Sequence, residues 1–215
     1  MKKMIKTFSI ILSVLCLAQV NLFAQNDNDN DNHNDNKKKY EFVKTKAVNK
    51  SYNVSSSDKL NIESSFGSVK VITWDRNEIK VDVSIEVSAN TESLAQKMLD
   101  RITVSDGKSG NEISFKTSMK DVNNSKGEKS SMEINYTMSM PANNGLTVKN
   151  DFGSTTIPDF RGEVDLTSKF GSLTTGILAN IKSIHVEFGK ANLSNINSAP
   201  VTIKFSKAVI SKVSG

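Results

Sequence analysis

The chain has one cysteine, three prolines, one tryptophan and two histidines in 215 residues. The cysteine, Cys16, lies in an apolar segment near the N-terminus, so residues 25–215 contain none. That part of the chain cannot form a disulfide framework, act through a thiol or hold a metal by thiolates. Long apolar runs are missing too. The mostly apolar stretch Phe8 to Ala18 is too short for a convincing membrane span. Excess charge of one sign is also scarce. Residues 1–24 carry Lys2, Lys3 and Lys6 and no acid, and without them the formal charge falls from +5 to +2. No basic stripe with interleaved aromatics is present, which argues against nucleic acid as a partner.

What the N-terminus does have is a short basic start, an apolar run and a small residue in Leu22-Phe23-Ala24-Gln25. This order predicts a secretory signal peptide over residues 1–24, with an uncleaved anchor as the alternative. Leu15 stands before Cys16 where a lipid-modified cysteine needs a small neighbour, so a lipoprotein is not expected. Export would deliver the chain to the periplasm, the outer-membrane surface or the extracellular space. Residues 26–36 read NDNDNDNHNDN and KKK follows. With no apolar residue to bury, the stretch 25–39 is expected to be a disordered linker. Asp27, Asp29 and Asp31 match the start of a calcium loop, but Asn32 replaces the required glycine and Lys38 the required glutamate. His33 belongs to the same solvated run, and no metal or other cofactor is expected.

From Tyr40 onward apolar residues alternate with polar ones, as strands with one inward face require. Leu60 and Ile62, Val69 and Val71, Ile79 through Val87, Ile113 and Phe115, and Met132 through Met140 all follow this period, and Pro141 closes the last run. Residues 91–102 break it. Leu94, Ala95, Met98, Leu99 and Ile102 form one helical stripe, with Asn90 as the expected N-cap and Glu92 in the first turn. The helix is expected to pack on the strand-rich part, 40–141. Residues 121–131 read as a polar loop.

The pair Phe-Gly recurs at Phe66-Gly67, Phe152-Gly153, Phe170-Gly171 and Phe188-Gly189, and Phe205-Ser206 follows. The spacings from Phe152 are 18, 18 and 17 residues. Short apolar pairs flank each phenylalanine, and eight residues after each stand Trp74, Phe160, Leu178, Ile196 and Val213. Such a period predicts an all-β, single-stranded β-solenoid with coils of about 18 residues over 146–215, within a domain spanning 40–215. The phenylalanines are then an internal ladder at a corner, where each following glycine avoids a clash or supplies a positive φ. Neither a dinucleotide nor a P-loop spacing surrounds the glycines, so an anion-binding role is not expected. Val213 would fill the last inward position, leaving an open edge through which self-association is possible.

Chemistry-bearing residues are sparse. The candidate acids are Asp151, Asp159, Glu163, Asp165 and Glu187. The positions before the phenylalanines read Ser65, Asp151, Lys169, Glu187 and Lys204, an alternation of sign that suits an exposed ladder of ion pairs. His185 sits between Ile184 and Val186 and is expected to face outward. No catalytic residue is expected, and the outward Ser, Thr and Asn would suit sugars.

The stretch "LNIESSFGSVKVITWDRNEIKVDVSIEVSANTESLAQKMLDRI", followed by "MEINYTMSMP" and the "FGS" segments, resembles a family of secreted domains of unknown function from Bacteroidetes-type bacteria. Adhesin character, with heads of autotransporter-adhesin type, is ascribed to that family. The resemblance covers the chain after about residue 50. It implies a β-solenoid and an envelope location, and it carries over no catalytic residue. The resulting expectation is an exported, non-enzymatic, adhesin-like protein that presents polar faces to a glycan or protein partner. An envelope enzyme acting on polysaccharide and a periplasmic signalling accessory are the alternatives.

Overall fold

The computed structural model describes residues 40–120, 127–197 and 199–214. The expected signal peptide, the linker with its Asp/Asn tract, and residues 121–126 of the expected loop lie outside the described residues. In chain order the elements are β1 (Phe42–Asn53), β2 (Lys59–Ser65), β3 (Val69–Trp74), β4 (Glu78–Ala89), α1 (Glu92–Arg101), β5 (Ile102–Ser109), β6 (Glu112–Met119), β7 (Ser130–Pro141), β8 (Gly145–Asp151), β9 (Ser154–Ile157), β10 (Phe160–Lys169), β11 (Ser172–Thr175), β12 (Leu178–Glu187), β13 (Lys190–Leu193), β14 (Ile196–Asn197), β15 (Val201–Lys204), β16 (Lys207–Ile210) and β17 (Val213–Ser214).

These strands form an eight-stranded sheet, β1-β4-β7-β3-β9-β11-β13-β16, and a seven-stranded sheet, β15-β12-β10-β8-β2-β6-β5, with β14 and β17 paired separately. Both larger sheets are mixed. β3 to β16 pair in parallel, whereas β1, β4 and β7 pair antiparallel. In the other sheet β5 and β6 make an antiparallel hairpin, turned at Gly110 with φ 58°. The fold is therefore not the single-stranded β-solenoid that the phenylalanine spacing predicted. The physical reason is that period-two alternation fixes which face a strand buries but not the direction of its neighbour. The 18-residue spacing survives as the register of parallel pairs: Leu146 lies opposite Val164, Ser154 opposite Ser172, and Ser172 opposite Lys190.

Alternation explains the core. Ile79, Val81, Ile85 and Val87 on β4 are fully buried, as are Ile134, Tyr136, Met138 and Met140 on β7. Burial of side chains of this size is worth about 1.5–3 kcal/mol each. Leu60, Ile62, Val148 and Leu166 of the seven-stranded sheet join the same hydrophobic cluster. Of the residues eight positions beyond each phenylalanine, Phe160, Leu178 and Ile196 are buried, whereas Val213 is 71% exposed and fills no inward position.

α1 buries Leu94, Ala95, Met98 and Leu99 and packs on β4 and β1. Its N-cap is Thr91, not Asn90: the Thr91 hydroxyl accepts the Leu94 N–H at 3.3 Å. Asn90 is engaged elsewhere. Its amide donates to the Gly127 carbonyl and its oxygen accepts the Lys129 N–H. No helix among the described residues is long and apolar enough to cross a membrane.

The turn from β1 to β2 is held by Asp58, whose carboxylate is nearly buried. It accepts the Ser55 N–H at 2.7 Å and the Lys108 ammonium at 3.2 Å. The Ser55 N–H, with Lys108 and the Ser55 hydroxyl, holds the carboxyl below its usual range. A lowered native value means stability that is present above the unfolded carboxyl value, about 3.9, and lost as pH falls through the native one. Asp58→Asn is accordingly expected to be less stable than the parent by about 1–3 kcal/mol at pH 7. Denaturant titrations should show that gap closing below about pH 4. A gap unchanged at pH 2 would contradict the charged role.

Candidate binding surfaces

Each corner phenylalanine adopts a positive φ: 63° at Phe66, 59° at Phe152, 53° at Phe170, 54° at Phe188 and 49° at Phe205. The glycines that follow are needed for close approach. A Cβ on Gly67 would lie 2.0 Å from the Ile134 carbonyl oxygen. On Gly153, Gly171 and Gly189 it would lie 1.7, 1.9 and 2.0 Å from the oxygen of the preceding corner's glycine. At Ser206, which stands where a fifth glycine would, the hydroxyl accepts the Gly189 N–H at 2.9 Å.

The rings stack, with centroids 5.2, 4.9, 5.0 and 5.1 Å apart and planes within 5–8°. They are not an internal ladder. Phe152, Phe170 and Phe188 are about half exposed and Phe205 is 79% exposed. Strict alternation from buried Ile62 and Ser64 would turn Phe66 inward, but a left-handed residue swings its Cβ to the other side. The inner corner is polar instead. Asn150 is fully buried and its amide donates to Gly67 O, Ser154 O and Thr155 Oγ1. Ser64 and Ser168 flank it in register.

The outer face of the seven-stranded sheet carries matched charges. Glu63 lies 2.9 Å from Lys116 and 3.5 Å from Lys149, and the Lys116 hydrogen bond holds its carboxyl below the usual range. Asp165 pairs with Lys182 at 3.0 Å and Glu163 with Lys59 at 3.8 Å. Ser65, Asp151, Lys169, Glu187 and Lys204 form one row, with Lys169 3.5 Å from Glu187. His185 is half-buried, with Nε2 3.3 Å from Glu187. The candidate acids are thus spread over this face and two corners, and Glu163, Asp165 and Glu187 pair with lysines. Such exposed pairs contribute little stability and mainly solvate the face.

The eight-stranded sheet presents a different row. Thr137, Lys70, Thr156, Thr174 and Asn192 lie side by side on β7, β3, β9, β11 and β13. The last four are exposed, about 4.8 Å apart from strand to strand.

The corner opposite the phenylalanines holds a depression of about 500 Å³, lined by Trp74, Asp75, Ala142, Asp159, Arg161 and Ile177 among others. It forms where β3 ends and the turns before β10 and β12 meet. The Trp74 Nε1–H donates to the Glu78 carbonyl at 2.8 Å, and the Arg76 guanidinium lies 5.0 Å from the ring centroid. Asp159 Oδ1 accepts the Ile177 N–H at 2.7 Å. Of these residues only Asp159 stood among the candidate acids. The signal that could have found the site is the chain's one tryptophan, placed eight residues after a corner phenylalanine. Among the described residues, no group of three or more metal-ligating side chains occurs.

No family model and no curated protein matches the chain. Solved structures do. A "putative cell adhesion protein" from Clostridium sporogenes is 8% identical, covering 80% of this chain and 98% of its own, with a TM-score of 0.33. A "putative adhesin" from Bacteroides fragilis is 14% identical, over 79% and 96%, with a TM-score of 0.29. A "putative lipid binding protein" from Parabacteroides distasonis is 8% identical, over 78% and 93%, with a TM-score of 0.28.

A left-handed conformation costs a non-glycine residue about 1–2 kcal/mol, while an aromatic pair returns about 0.5–1.5 kcal/mol beyond its buried area. Phe170 has a stacked ring on each side. Phe170→Ala keeps the backbone cost and loses both stacks, whereas Phe170→Gly loses the stacks and the cost together. Thermal and denaturant unfolding should therefore rank the parent above Phe170→Gly, and that variant above Phe170→Ala by about 1 kcal/mol. An alanine variant as stable as the glycine variant would contradict the assignment.

Proposed function

We propose that this chain is an exported, non-catalytic binding protein of the cell envelope or surface, adhesin-like in the sense that it offers rigid polar sheet faces to a glycan or protein partner. The observation that carries this reading is the Thr137–Lys70–Thr156–Thr174–Asn192 row. Hydroxyl, amide and ammonium groups stand in register across adjacent strands, backed by a packed core that fixes their spacing. Such a row supplies donors and acceptors at low ordering cost. The matched charges of the other face support the same reading, because carboxylates paired with lysines are poorly placed for acid–base exchange with each other.

An enzyme acting on polysaccharide is the second reading, and it rests on Asp75 and Asp159 lining one depression. The two readings separate in a single comparison. The purified protein is screened for binding to glycans and envelope proteins, and the same glycans are followed for chain cleavage. Retention of at least one partner with no new reducing ends or unsaturated products is expected. Cleavage of any polysaccharide, or no retained partner in either class, would contradict the proposal.

A further inference from the structure

We infer that the depression at the Trp74 corner is a binding site for a neutral saccharide residue. This rests on the binding reading above and adds to it one place, apart from the sheet row, and one ligand class. The volume of about 500 Å³ falls in the range of small-molecule sites. The indole is positioned from two directions, by its bond to the Glu78 carbonyl and by the Arg76 guanidinium. A fixed aromatic surface beside polar groups matches a sugar ring, which has an apolar C–H face and hydroxyls at its rim. In the same depression Ile177 is 60% exposed, an apolar side chain that gains nothing from solvent.

Charge selects the ligand. Asp75, Asp159 and Arg161 line the depression, two carboxylates to one guanidinium. An anionic sugar would meet two carboxylates, and a cation would meet the Arg161 guanidinium. A neutral polyol satisfies both kinds: carboxylates accept from its hydroxyls and the guanidinium donates to them. Asp159 is already oriented, because Oδ1 holds the Ile177 N–H and Oδ2 remains for a ligand. The backbone turn that carries Ile177 is tied to the acid as well. A Cβ on Gly176 would lie 2.4 Å from Asp159 Oδ1, so the glycine lets the carboxylate approach.

The single tryptophan makes the site report on itself. The purified protein is titrated with neutral oligosaccharides of glucose, mannose, galactose and N-acetylglucosamine, and with oligogalacturonate as the acidic comparator. A saturable change in tryptophan emission is expected with at least one neutral probe and none with oligogalacturonate. Calorimetric titration should then show affinity falling about tenfold or more in Arg161→Ala and in Ile177→Glu, the equivalent of about 1.4 kcal/mol. Both are surface changes whose melting temperatures should match the parent, so a loss of affinity is not a loss of folding. If calorimetry detects no neutral saccharide, or detects one whose binding leaves the emission and both variants unchanged, the site is overturned. In the latter case the binding reading stands. Oligogalacturonate bound as tightly as the neutral probes overturns the ligand class. Cleavage of a bound probe would instead overturn the non-catalytic reading.

Discussion

The structure depends on one close approach, backbone over backbone at the phenylalanine corner. Gly153, Gly171 and Gly189 lie so near the carbonyl of the preceding corner's glycine, and Gly67 so near that of Ile134, that any Cβ would meet an oxygen at 2.0 Å or less. That contact is possible only if the neighbouring phenylalanines leave the corner, and their positive φ takes them out. The rings then recover part of the backbone cost by stacking at about 5 Å. Inside, Asn150 takes the space and bridges the turn through its amide. One constraint thus sets three features: which residue is glycine, why its neighbour is aromatic, and why the inner corner is polar.

From the corner the rest follows outward. In-register parallel pairing carries each outward residue next to its equivalent on the following strand. This aligns the threonine and asparagine row on one sheet and the alternating charges on the other. It also brings Trp74, Asp159 and Ile177 to one depression, although they stand far apart in the chain. The proposed binding role uses this rigidity, because groups fixed by a core lose little freedom when a partner arrives.

Much of the fold was legible in the chain. The alternation of Ile79 to Val87 and of Ile134 to Met140 identified buried faces, and the stripe Leu94, Ala95, Met98 and Leu99 identified the helix. Strand direction was not legible. The same alternation serves antiparallel β4 and β7 and parallel β8 and β10, because it records burial alone. The ring positions were misread for a related reason: period two places Phe66 inside only while φ stays extended. Asn90 was an attractive cap, but its side chain serves Gly127 and Lys129, a contact 37 residues or more away that local pattern does not show. The depression was hidden because its residues come from separate turns.

The corner is tested most directly by amide hydrogen exchange at the phenylalanines. Phe66, Phe152, Phe170 and Phe188 donate their N–H to Asp151, Lys169, Glu187 and Lys204 carbonyls at 2.9, 2.9, 2.9 and 3.1 Å. Although three of these side chains are about half exposed, these amides should exchange as slowly as those of the flanking strands. Exchange at the rate of an open loop would show that the backbone does not stack there, and the account of the corner would fail.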